Sequence, residues 1–124
     1  MRVAIDISQI VYGTGVSTYT ENLVRSLLKI DAEDEFTLFA GALRRRGDIL
    51  KVFPEARVFP VPPILADIIW NKLHRFPIEK LIGNIDVFHT SDWAEPPSSA
   101  FKVTTVHDLY PLKFPRMVTP QVLE

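Results

Sequence analysis

The chain has 124 residues, 47% of them hydrophobic and 23% charged, an average globular composition unlike that of a disordered or a membrane-embedded chain. Fourteen Lys and Arg stand against fifteen Asp and Glu, for a net charge of -1, so no global field holds nucleic acid or an acidic membrane, and such binding would need a local patch. The lack of cysteine excludes disulfides, thiolate nucleophiles, iron–sulfur ligation and cysteine-ligated zinc, and fits a reducing compartment.

A chain of this length is expected to form one domain over residues 1–124, burying roughly two-thirds of its unfolded surface. Met1 to Asp6 reaches an acid after Val3-Ala4-Ile5, which is not the pattern of a secretory signal, and no apolar run approaches the ~20 residues of a membrane span. The expected location is cytosolic.

Arg2 to Ile7 is apolar and rich in Val and Ile, and it runs into the glycine-bearing stretch Tyr12-Gly13-Thr14-Gly15. This predicts a strand and a loop. From Val16 the apolar positions Tyr19, Leu23, Leu27 and Ile30 recur at helical spacing, with Glu21 and Arg25 as an i,i+4 pair on the other side. Either Thr18, in a capping box with Glu21, or Ser17 caps this helix. Phe36 to Ala40 is a second strand, and Leu43 to Phe53 a helix stopped by Pro54. Ala56 to Val61 is a third strand. The pattern Ile64, Leu65, Ile68, Ile69, Leu73, Phe76 is a helix that Pro77 ends, and a short helix from Ile78 stops at Gly83. Asp86 to His89 and Lys102 to Val106 supply strands four and five, separated by a polar loop from Thr90 to Ala100. The tail, with Pro111, Pro115 and Pro120, should begin extended and enter a last helix near Thr119.

Short apolar strands alternating with helices predict an α/β fold, a Rossmann-like doubly wound parallel sheet. In such sheets ligands bind beyond the carboxyl ends of the strands, where the strand order reverses. With the order 3-2-1-4-5, the loops after strands one and four part at that point. They carry Gly13, Thr14 and Gly15, and Ser91, Asp92 and Trp93, while the loop after strand five carries His107 and Asp108. The glycines suit an anion at a helix N-terminus or simply a tight turn. They do not make a dinucleotide fingerprint, because Thr18 stands where a third glycine belongs and strand two ends in Ala40-Gly41 rather than an acid. A phosphate-binding Walker loop also fails, for want of Gly-Lys-Ser/Thr.

His107 is expected to close a buried strand beside Asp108, where it can bond a substrate hydroxyl or carry a proton near neutral pH; the alternative is a structural histidine. His89, Asp92, His107 and Asp108 would have to converge to bind a metal, and no ligand spacing supports that. Arg44, Arg45 and Arg46, and Lys72, His74 and Arg75 near Trp70, can face an anionic acceptor or a membrane surface, or be the wet side of packed helices.

These residues also carry a family likeness. Met1-Arg2-Val3-Ala4-Ile5-Asp6, Tyr12 to Tyr19 with Asn22-Leu23, Asp86-Val87-Phe88-His89 and, most specifically, Thr105-Val106-His107-Asp108-Leu109-Tyr110-Pro111-Leu112-Lys113-Phe114-Pro115 resemble the N-terminal domain of group 1 (family 4) glycosyltransferases. The resemblance implies the first of two Rossmann-like domains of a GT-B fold and metal-independent, retaining transfer from a nucleotide-sugar donor to a sugar or lipid-linked acceptor. It needs no cofactor, the nucleotide sugar being a substrate, and it allows a peripheral place at the inner face of the membrane. It also implies that His107, with Asp108, serves the reacting sugar and that Gly13, Thr14, Gly15, Ser91, Asp92 and Trp93 bind donor or acceptor. The family's nucleotide-binding domain, with its basic pair and two closely spaced glutamates, has no counterpart here, so the chain is expected to be a half-enzyme, inactive alone. The rival expectation is a stand-alone α/β module that binds a phosphorylated or sugar ligand without chemistry.

Overall fold

The computed structural model describes residues 1–30, 33–91 and 94–117. Five strands, β1 (Arg2–Asp6), β2 (Glu35–Gly41), β3 (Arg57–Phe59), β4 (Val87–Thr90) and β5 (Phe101–Thr104), form one sheet in the order β3-β2-β1-β4-β5. All four neighbouring pairs are parallel, as a doubly wound α/β sheet requires. The helices are α1 (Gly15–Ile30), α2 (Arg46–Val52), α3 (Pro63–Ala66), α4 (Glu79–Ile82) and α5 (Tyr110–Lys113).

Side-chain alternation along each strand divides the core in two. Ile5, Leu38 and Ala40 face Val24 of α1 and Ile49 of α2, whereas Ala4, Phe39 and Phe88 face Ala66, Trp70 and Ile82 on the other side. The register pairs Val3 with Val87 and Val87 with Phe101, which puts Phe101 and Val103 on the α1 side of the sheet. Phe101 is 73% exposed there. At the opposite rim Arg2 grips Asp86, with Nη2 2.8 Å from Oδ1 and the Arg2 amide 2.8 Å from Oδ2.

Most elements shift by a residue or two from their sequence-based bounds, strand three shrinks from the expected 56–61 to Arg57–Phe59, and four further departures change the architecture. Strand five starts at Phe101 and stops at Thr104, because its sole neighbour β4 ends at Thr90, the partner of Thr104; Thr105 and Val106 therefore lie outside the ladder. Leu43 to Arg45 belong to the loop ahead of α2 rather than to the helix. The helix expected to reach Phe76 widens after α3 into a π-helical stretch, Asp67–Lys72, in which the Leu73 amide donates to the Ile68 carbonyl at 2.9 Å. It ends at Lys72, and His74 and Phe76 take positive φ of 46° and 67° on the way to Pro77. The tail is not extended at its start: Tyr110–Lys113 is a helical turn with Pro111 in a tolerated early position. The expected helix near Thr119 lies outside the described residues.

Candidate functional site

The order reverses between β1 and β4, and their carboxyl ends share one rim with those of β2 and β5. The chain leaves β1 through a 3-10 turn, Ser8–Val11, where a loop was expected, and comes to Gly13 at a φ of +70°. That left-handed turn directs it into α1. The helix begins at Gly15, a residue earlier than the apolar pattern suggests, and its capping uses neither expected scheme. Ser17, in its first turn, turns its hydroxyl back to accept from the Gly13 amide at 2.9 Å and the Thr14 amide at 3.3 Å, and to donate to the Gln9 carbonyl at 2.8 Å. The glycine loop thus spends two N–H groups on its own turn. Those at the head of α1 with no intrahelical carbonyl to take them belong to Gly15, Val16 and Ser17.

His107 does not close a buried strand. It lies three residues past β5 and is exposed, since an edge strand with a single neighbour releases the chain early. Its ring stands edge-on to Tyr19 of α1, with centroids 5.1 Å apart and planes at 84°, the arrangement favoured between an aromatic face and a ring edge. Beneath this pair runs a polar chain: the Tyr19 hydroxyl is 3.0 Å from Thr105 Oγ1, which is 3.2 Å from His89 Nε2. With Asp6, Gln9 and Thr20 these residues enclose a void of about 10 Å³, room for roughly one water. Asp6 is buried, and its carboxylate Oδ1 accepts from the Ser8 amide at 2.8 Å and the Ser8 hydroxyl at 2.5 Å.

Asp108 points away from this chain of contacts, accepting from the Tyr110 amide at 2.9 Å, so its carboxylate sets the turn into α5. The Ser91 hydroxyl is buried and 3.2 Å from the Ala94 carbonyl, a bond internal to its loop. That loop is tied down further along, where Glu79 Oε1 accepts from Ser98 Oγ and the Ser99 amide, each at 2.7 Å. Asp92 and Trp93 lie outside the described residues. Among the described residues no three His, Asp or Glu side chains stand together as a metal site, and no helix is long and apolar enough to cross a membrane. His74 is exposed on its surface, as expected, with Nδ1 3.2 Å from the Trp70 carbonyl.

Sequence reasoning missed Tyr19, Thr105 and Gln9. Tyr19 fits the apolar stripe of α1 and was counted there; only the fold shows its hydroxyl reaching 86 residues along the chain. His89 was weighed as a metal ligand, and its role here is a different one. Burial lowers the pKa of its imidazole, against a backbone hydrogen bond that favours the charged ring, and the nearby His107 adds to the lowering. His89 is therefore neutral at neutral pH and bridges to Thr105 as an uncharged ring.

The sign of the resulting pH dependence follows by linkage. As pH falls below the ordinary value of 6.5, the unfolded chain takes up this proton before the folded one, so stability drops as pH falls through that window. Denaturant midpoints measured across a pH series should decline from 6.5 downward, and His89→Gln should flatten this part of the profile. An identical slope in the variant would assign the loss to other groups.

Compared with family models, with curated proteins and with solved structures, the chain matches none.

Proposed function

We propose that this chain is the acceptor-side half of a retaining glycosyltransferase, which moves a sugar from a nucleotide-sugar donor to a sugar or lipid-linked acceptor. The observation that carries the reading is the meeting of His107 with Tyr19 at the switch point of a β3-β2-β1-β4-β5 sheet, in the segment that most resembles the family. In this reading the His107 imidazole bonds a hydroxyl of the donor sugar, and the Tyr19–Thr105–His89 chain holds it in place. The head of α1 faces the diphosphate, where the helix dipole and the N–H groups of Gly15 and Val16 favour the charge that builds on a departing phosphate.

A void of about 10 Å³ is far too small for a hexose, so the sugar must sit above the rim, against a second wall. A facing nucleotide-binding domain supplies that wall and the donor contacts, and the chain alone does not turn over. The second reading is a binding module without chemistry; in either reading Ser17 takes the Gly13 and Thr14 amides, which leaves the head of α1 as the anion-facing part of the loop.

The test is the intact mass of the native gene product, followed by a transfer assay with nucleotide sugars. The half-enzyme reading expects a mass well above 14.1 kDa and transfer by that longer product. A native mass of 14.1 kDa without transfer favours the binding module, and turnover by the isolated chain overturns the half-enzyme reading outright.

A further inference from the structure

The same rim holds a second, larger concavity on the other side of the β1 loop, between the ends of β1 and β2. It measures about 510 Å³, within the range of small-molecule sites. Val11 and Tyr12 wall one side, and Leu43, Arg44 and Arg45 the other.

Arg45 is part of the construction of this cavity. Its Nη1 donates to the Val11 carbonyl at 2.6 Å, and its Nε to Asp48 Oδ2 at 2.9 Å. The side chain therefore bridges the two loops and fixes the distance between the walls before any ligand arrives, which lowers the ordering cost of binding. Arg45 in turn holds the Asp48 carboxyl below its ordinary pKa, so the pair stays charged. Asp48 is the one carboxylate paired to this segment among the described residues, and it is shared with Lys51 at 3.8 Å. Arg44, on the cavity wall, and Arg46, just beyond it, pair with no carboxylate among the described residues. Cations thus outnumber anions around a concave space in a chain whose net charge is -1.

Guanidinium groups suit oxyanions through paired N–H donors. One such group satisfies a carboxylate, whereas two adjacent ones match a dianion with three free oxygens. Tyr12 and Leu43, each about half exposed, offer apolar contact to whatever bears the anion. We propose that this cavity binds the phosphate group of a small soluble ester, with Arg44 and Arg45 as its charged wall and Tyr12 against the organic part. The inference is independent of sugar transfer: it concerns different side chains and holds for a half-enzyme and for a binding module alike.

The experiment is a calorimetric titration of the chain with inorganic phosphate, phenyl phosphate and benzoate, with amide NMR shifts to locate the site. Phenyl phosphate should bind saturably, more tightly than inorganic phosphate or benzoate, with shifts concentrated at Tyr12 and Gly41 to Arg45. Arg44→Ala should weaken it about tenfold or more, Arg44→Lys less, and His107→Ala not at all. Arg44 is exposed and pairs with no carboxylate among the described residues, so its variants should keep the parent amide spectrum; should Arg44→Ala lose it, Arg44→Gln carries the same comparison. The proposal is overturned by the absence of saturable binding, by benzoate binding as well as phenyl phosphate, or by parent affinity in the folded Arg44 variant. It is equally overturned by shifts centred on Gly15 or His107, or by affinity seen only for vesicles containing phosphatidic acid.

Discussion

Phe88→Ala is expected to destabilise the chain by about 3–5 kcal/mol, the range for emptying a buried aromatic site. Phe88 is fully buried in the middle of the sheet, its ring 5.7 Å from that of Phe39, in the cluster that joins β1, β2 and β4 to Trp70, Ile78 and Ile82. Elements on both sides of it are held by the strands above and below, so they cannot collapse into the space. For a domain of this size that loss approaches the whole of an ordinary folding free energy, and urea denaturation should show the midpoint falling steeply or the fold gone. Phe101→Ala is the control: the same chemical change at a 73% exposed site should alter stability by no more than about 0.5 kcal/mol. Equal losses in the two variants would mean that Phe101 is covered in solution.

His107→Ala is expected to lower kcat by about 10²–10⁴-fold in the complete transferase of the proposed reading, the range for losing a positioned proton-carrying or hydroxyl-bonding side chain. Its contact with Tyr19 is a single edge-on ring pair, worth about 0.5–1.5 kcal/mol, so folding should survive and the effect should fall on turnover. Tyr19→Phe, which keeps the ring and removes the hydroxyl bonded to Thr105, should cost less than His107→Ala. Unchanged kcat in the folded His107 variant would leave the histidine a merely structural role and remove the main support for sugar transfer at this rim.

The sheet was legible because its signals are local. Five apolar runs punctuated by Gly13, Pro54, Pro62, Pro77 and Gly83 fix the number of strands, and crossover handedness leaves few orders to choose among. The π-helical stretch was not legible, since its bond from the Leu73 amide to the Ile68 carbonyl spans one residue more than an α-helical one, and a shift of one residue leaves the apolar pattern nearly unchanged. Nor was the real work of Ser17: a serine near a helix start reads as a cap, and its three partners are known only once the loop is folded. The arginine run is a different case. Three consecutive arginines suit an anionic partner or a solvated face, and nothing local shows that Arg45 reaches back 34 residues to Val11, so the sequence could not choose between them. For the candidate site, the chain order of strands and loops was enough to place Gly13 to Gly15, Ser91 and His107 at one rim, but the exposure of His107 and its partners were not legible, because they depend on where β5 ends and on side chains from α1 and β4.

The exposed face of β5 has a consequence for the order in which the molecule opens. Hydrogen-exchange protection scales with the cost of local opening, and segments with few buried apolar contacts open first. β5 has one neighbouring strand, and Phe101, Val103 and Thr104 are all exposed, so its amides should exchange well before those of β1 and β2. His107 hangs from this strand by three residues, whereas Tyr19 rides on α1, which is anchored through buried Ser17, Thr20 and Val24. The two halves of the ring pair therefore belong to parts of the molecule that differ in stability. A partner laid against β5 would therefore steady the His107 ring as well as the strand, and the two changes should appear together in exchange rates.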